Sequence, residues 1–190
     1  MKTGLFFGSF NPIHIGHLII ANYMASFTDL KEVWLVVSPQ NPLKLKSGLA
    51  NMYDRLEMAR LAIESAPQIK VSDIEFKLPQ PSYTIDTLTY LHEKYPDKKF
   101  VLIMGADNLA SLKKWKNYQV LLSNYQIFVY PRHGFDTSQW EKHSSITFTD
   151  TPVMEISSTF IRKALKEKKS IQFFVPDQVL TFIESKGLYK

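Results

Sequence analysis

Trp34-Leu35-Val36-Val37, inside the strand candidate Val33–Ser38, and Val101-Leu102-Ile103-Met104, inside Phe100–Met104, run apolar without alternation. A strand with one wet face alternates polar and apolar residues, whereas a strand covered on both faces does not. Both runs therefore read as inner strands of a parallel sheet. Outward from them, β-branched and aromatic runs at Thr3–Phe7, Lys70–Phe76 and Gln126–Tyr130, with a weaker one at Ile146–Thr149, supply further strands. Helical spacing fills the gaps. Leu18, Ala21 and Ala25 share one face, Leu56, Ala59 and Ile63 share another, and Thr84–Lys94 reads as a third helix. Ser158 is placed to cap a helix whose inner face is Ile161, Ala164 and Leu165. Pro176 opens a last helix through Val179, Phe182 and Ile183, and Gly187 closes it. Alternating β and α units predict a doubly wound, mostly parallel α/β sheet with ligands at the carboxyl ends of its strands. No repeat, low-complexity tract or Gly/Ser-rich linker divides the chain. Residues 1–190 are expected to form one domain, with a helical part from about 157 onward packed on it.

Composition narrows the class. An apolar share of 45% and a charged share of 22% across 190 residues suit a globular core. The absence of cysteine excludes disulfides, thiolate metal sites and a cysteine nucleophile. The apolar Leu5-Phe6-Phe7 run is too short for a signal peptide, and no segment has the length of a membrane span. A cytoplasmic protein is the expectation. A net charge of +5 is compatible with polyanionic ligands and with an ordinary surface alike. Lys163, Lys166, Lys168 and Lys169 crowd a helix end, where cations suit the dipole in any case.

The chemistry concentrates where the first strand ends. Gly8-Ser9-Phe10-Asn11-Pro12 turns the chain toward a helix starting near Gly16. Gly8 permits close approach of backbone to ligand, and the helix start offers free N–H groups to an anion. His14 and His17, three apart, can face one point and donate to phosphate oxygens. A zinc pair lacks a third ligand nearby, and a helix cap with surface histidines is the plainer alternative. Neither Gly-x-x-x-x-Gly-Lys nor Gly-x-Gly-x-x-Gly occurs. Far along the chain, Ser157 and Ser158 place hydroxyls and N–H groups at another helix start, with Arg162 one turn on. That is a second candidate anion site, the alternative being a capped helix with an outward arginine.

Gly8-Ser-Phe-Asn-Pro-Ile-His14-Ile-Gly-His17 resembles the His-x-Gly-His signature of the nucleotidylyltransferase superfamily. Ile156-Ser157-Ser158-Thr159-Phe160-Ile161-Arg162 resembles its second signature, Ile-Ser-Ser-Thr-x-Ile-Arg. Three more segments are similar to the bacterial nicotinate-nucleotide adenylyltransferases: Pro81-Ser-Tyr83-Thr84-Ile-Asp-Thr-Leu88, Gly105-Ala-Asp107-Asn-Leu109 leading to Trp115, and the proline-rich loop Pro39–Lys44. The resemblance implies a Rossmann-like nucleotidylyltransferase fold. It implies an enzyme of NAD biosynthesis that moves the adenylyl group of ATP to nicotinate mononucleotide, releasing pyrophosphate. Mg2+ would accompany the ATP, with no metal held by the protein alone and no nucleic-acid or membrane partner.

By the same resemblance His14, His17, Lys44 and Arg162 are the catalytic residues. Gly8, Ser9, Phe10, Gly16, Ile156, Ser157 and Ser158 bind ATP, while Asn11, Tyr83, Thr84, Asp107, Trp115, Lys116 and Arg132 bind the nicotinate nucleotide. In that family the tryptophan stacks on the pyridine ring, and backbone amides at the positions of Thr84 and Lys116 take its carboxylate. Phe7, Ser9 and Asn11 stand where the family commonly has Gly, Thr and Asp. Leu43 stands where a His often precedes the basic residue, so Lys46 competes with Lys44. Other readings are a related transferase with a phosphopantetheine or nicotinamide mononucleotide acceptor, or a non-catalytic nucleotide- or nucleic-acid-binding module. Oligomeric state stays open, a homo-oligomer included.

Overall fold

A computed structural model describes residues 1–40 and 48–190. Among these residues the chain runs β1 Lys2–Gly8, α1 Ile15–Phe27, β2 Glu32–Val37, α2 Met52–Ala62, β3 Ile69–Ser72, α3 Thr84–Lys94, β4 Lys99–Gly105 and α4 Ala106–Ala110. It continues through α5 Tyr118–Asn124, β5 Gln126–Tyr130, β6 Ile146–Phe148, α6 Ser158–Lys166 and α7 Asp177–Lys186. The strands form one sheet in the order β3-β2-β1-β4-β5-β6, and every adjacent pair is parallel. This is the doubly wound order, whose direction reverses between β1 and β4.

The unalternating runs behave as expected. All six residues of β2 are buried. Its odd and even positions feed opposite cores: Val33, Leu35 and Val37 meet α1, α2, α6 and α7, while Trp34 and Val36 meet α3, α4 and α5. Each fully buried aliphatic side chain contributes about 1.5–3 kcal/mol, so a strand buried on both faces contributes roughly twice what an alternating one does.

Element ends follow local chemistry. Asn51 caps α2 by accepting from the Tyr53 N–H at 2.9 Å. Gly187, at φ 61°, lets the chain leave α7 as the Leu188 N–H reaches back to the Ile183 carbonyl. Two expectations are corrected. The third strand stops at Ser72, because Ile74–Lys77 tightens into a 3-10 turn that takes Glu75 and Phe76 out of the sheet. The cap of α6 is Ser157, which accepts from the Phe160 N–H; Ser158 is already helical. The short helices α4 and α5 have too few turns to show a periodic stripe. Among the described residues no helix is long and apolar enough to cross a membrane.

Candidate active site

The carboxyl ends of β1 and β4, at Gly8 and Gly105, open onto a cleft of about 520 Å³. Sixteen of the eighteen expected site residues line it: Gly8, Ser9, Phe10, Asn11, His14, His17, Tyr83, Thr84, Asp107, Trp115, Lys116, Arg132, Ile156, Ser157, Ser158 and Arg162. Gly16 lies just behind the wall and Lys44 lies outside the described residues, as does the competing Lys46.

Two chain-distant segments are bonded together here. The Ser158 hydroxyl donates to the Pro12 carbonyl at 2.9 Å, and the Arg162 guanidinium donates to the Asn11 carbonyl at 2.8 Å. The starts of α1 and α6 therefore share one wall, which gives the cleft two helix N-termini and a guanidinium.

The histidines stack on each other, with ring centroids 3.7 Å apart. The backbone N–H of His14 donates to His17 Nδ1 at 3.3 Å, and His17 packs edge-on to Phe10 at 5.0 Å. His14 is almost fully buried, and its Nδ1 has no hydrogen-bond partner among the described residues. Burial first, then the positive charge of Arg132, draws its pKa down to about 4. At neutral pH it is an uncharged imidazole.

Glycine serves side chains here before it serves any ligand. A Cβ on Gly8 would meet the Phe10 ring at 2.8 Å, because Phe10, at φ 44°, folds its ring back under the loop. The Phe10 ring is thus packing rather than cleft surface, 2% exposed. A Cβ on Gly16 would sit 3.1 Å from two ring atoms of His14. A Cβ on Gly105 would overlap Asp107 Oδ1 at 2.3 Å.

Asp107 lies in the first turn of α4, just past β4. Its Oδ1 is 3.6 Å from Arg132 Nε, and both atoms are buried without a hydrogen-bond partner among the described residues. Trp115 is half-buried against the α3–α5 side and also faces the cleft, its Nε1 without a hydrogen-bond partner among the described residues. Beside it the Lys116 ammonium lies 4.8 Å from the Tyr83 ring and pairs with Asp86 at 2.8 Å.

Three site-shaping residues carry no sequence signal. Arg55 is completely buried on α2, where it donates to the carbonyls of Ser9, Ser38, Pro39 and Ala50 at 2.6–3.0 Å. Burial lowers its pKa to about 10, which leaves it charged. Glu75, behind Ser82 and Thr87, is a buried acid in the cleft wall. Tyr189 donates to Asn11 Oδ1 at 2.8 Å. That oxygen also accepts from the Ala50 N–H at 3.1 Å, and the amide nitrogen of Asn11 donates to the Gly48 carbonyl at 2.9 Å. The Asn11 side chain therefore braces the loop that lines the cleft. Such long-range bonds leave no periodicity or spacing for a reader of sequence to find.

A family model described as cytidylyltransferase-like matches residues 5–164. A protein of Flavobacterium psychrophilum named Probable nicotinate-nucleotide adenylyltransferase is 55% identical over 192 residues, covering 100% of each chain. Its namesake in Cytophaga hutchinsonii is 51% identical over 189 residues, covering 100% of this chain and 98% of the other. The chain belongs to the nicotinate-nucleotide adenylyltransferase family. The fold agrees: a Plasmodium falciparum nicotinic acid mononucleotide adenylyltransferase complexed with NaAD superposes with a TM-score of 0.84, covering 99% of this chain and 97% of that one at 20% identity. Ser9 and Asn11, in the loop after β1, both line the cleft of this adenylyltransferase.

Proposed function

We propose that the chain transfers the adenylyl group of ATP to nicotinate mononucleotide, giving nicotinate adenine dinucleotide and pyrophosphate in NAD biosynthesis. The observation that carries this reading is the joining of the Asn11–His17 and Ser157–Arg162 segments on one wall of a cleft whose opposite wall is Tyr83, Thr84 and Trp115. In this reading one domain, residues 1–190, holds both substrates.

An oxygen of the nicotinate mononucleotide phosphate attacks the α-phosphorus of ATP. The new P–O bond forms as the bond to the β-phosphate bridging oxygen breaks, and pyrophosphate leaves with the electron pair. The nucleophile is already an anion, so positioning and charge stabilisation suffice without a strong base. His17 and the neutral His14 donate N–H groups to the ATP phosphates. Ser157 and Ser158 at the start of α6, together with Arg162, take the departing pyrophosphate. Lys44 meets the incoming phosphate. Trp115 stacks on the pyridine, the N–H groups at Thr84 and Lys116 take its carboxylate, and Asp107 accepts from ribose hydroxyls. Arg132, ion-paired with Asp107, adds positive charge beside the acceptor phosphate.

In this reading Mg2+ enters as part of the MgATP substrate, held by phosphate and water and neutralising phosphate charge.

The test is pyrophosphate release from ATP with nicotinate mononucleotide, nicotinamide mononucleotide or phosphopantetheine as sole acceptor. Nicotinate mononucleotide should give the highest kcat/KM. A preference for phosphopantetheine would overturn the roles of Trp115 and Thr84 while leaving the ATP wall intact.

A further inference from the structure

Glu75 is a buried carboxyl group at the edge of an anion-binding cleft, 2% exposed. An acid in such a place is costly unless its oxygens are hydrogen-bonded. No cation pairs with it among the described residues. Its oxygens accept from hydroxyls instead: Oε2 from Ser82 at 3.0 Å and Oε1 from Thr87 at 2.8 Å, both at the start of α3, with the Ser38 hydroxyl after β2 as a further partner. Burial pushes its carboxyl above the usual range, while the hydroxyls of Ser38, Thr87 and Ser82 oppose that rise.

The two anchors bracket Tyr83 and Thr84, the N-cap and first residue of α3, which both line the cleft. The Thr87 N–H closes the first turn onto the Tyr83 carbonyl at 3.1 Å. The N–H groups before it, at Thr84, Ile85 and Asp86, have no intrahelical acceptor, and the dipole makes this helix end attractive to a carboxylate. Two N–H donors aimed at one point suit a carboxylate. A carboxamide offers an NH2 there, which donates and cannot accept. Discrimination of this kind fails once the donors drift by about 0.5 Å.

We propose that Glu75 is a positioning residue that sets acceptor specificity, pinning the first turn of α3 from behind through Ser82 and Thr87. The inference rests on the adenylyl-transfer reading above. Nothing in the sequence points to Glu75, which sits in a stretch that reads as strand.

Steady-state kinetics of the full-length Glu75→Ala and Glu75→Gln proteins test it. In Glu75→Ala the KM for nicotinate mononucleotide should rise roughly tenfold, equivalent to about 1.4 kcal/mol, with the KM for ATP within about twofold of the parent. The preference for nicotinate over nicotinamide mononucleotide should shrink by a similar factor. Glu75→Gln keeps one acceptor oxygen and should recover most of the loss. If Glu75→Ala does not fold, Ser82→Ala removes one anchor alone and should move the same two quantities in the same direction. Equal rises in both KM values, or an unchanged acid-to-amide preference, would overturn the proposal while the adenylyl-transfer reading stands. A parent protein inactive on nicotinate mononucleotide would overturn both.

Discussion

Burial and the charge of Arg132 make His14 a neutral donor, with a folded-state pKa of about 4 against 6.5 for the free side chain. Between those values the unfolded chain binds a proton that the folded chain does not. The contribution to stability is therefore complete above pH 6.5 and is lost as the pH falls toward 4, by up to about 3 kcal/mol. Urea unfolding at about pH 7 and about pH 4.5 should show this loss in the parent and a clearly smaller one in His14→Gln. Equal losses would mean that His14 is not held neutral. Gly16 offers a second test at this scale. Helix propensity alone favours Ala over Gly by about 1 kcal/mol. Against that, the added Cβ would press on the His14 ring at 3.1 Å. Turnover of Gly16→Ala should fall at least tenfold, about 1.4 kcal/mol in the barrier, even if its unfolding midpoint holds. Unimpaired turnover would show that the ring's position does not matter.

Arg55 governs how α2 meets the loops after β1 and β2. Its guanidinium links carbonyls from three segments, so losing it orphans several buried acceptors at about 1–3 kcal/mol each, less what water recovers. Arg55→Leu should therefore lose roughly 3 kcal/mol of stability and raise the KM for ATP. Arg55→Lys, with one compact ammonium, should not restore either. Denaturation midpoints and ATP titration read both quantities, and a stable Arg55→Leu with unchanged KM would remove the loop-bracing role.

Elements were legible to very different degrees. Trp34–Val37 announced a doubly covered strand because burial on two faces leaves no polar position, and Pro176 and Gly187 marked both ends of α7 because each restricts or frees a backbone dihedral. Ser158 reads as the cap of α6 from the sequence, yet Ser157 holds that place. The choice depends on which hydroxyl reaches the Phe160 N–H and which reaches Pro12 across the molecule. The run to Phe76 looked like strand because its hydrophobicity is real, but it is buried by a 3-10 turn instead of by the sheet.

For the whole molecule, the sheet order explains where the cleft lies. The crossover between β1 and β4 separates α1 from α4, so the two carboxyl ends open between them. What the sequence leaves unread is closure. Ser158 and Pro12 are 146 positions apart and Tyr189 and Asn11 are 178 apart, yet these bonds bring the last two helices against the first loop. Local patterns foretold the parts of the wall, and only the fold shows that they share it.

The most direct measurement follows the phosphorus atoms. ATP labelled at the α-phosphorus is incubated with nicotinate mononucleotide and Mg2+, and the products are separated. Label should appear in nicotinate adenine dinucleotide, with unlabelled pyrophosphate released in equal amount. Label left in AMP or released as inorganic phosphate, with no dinucleotide formed, would contradict adenylyl transfer by this cleft.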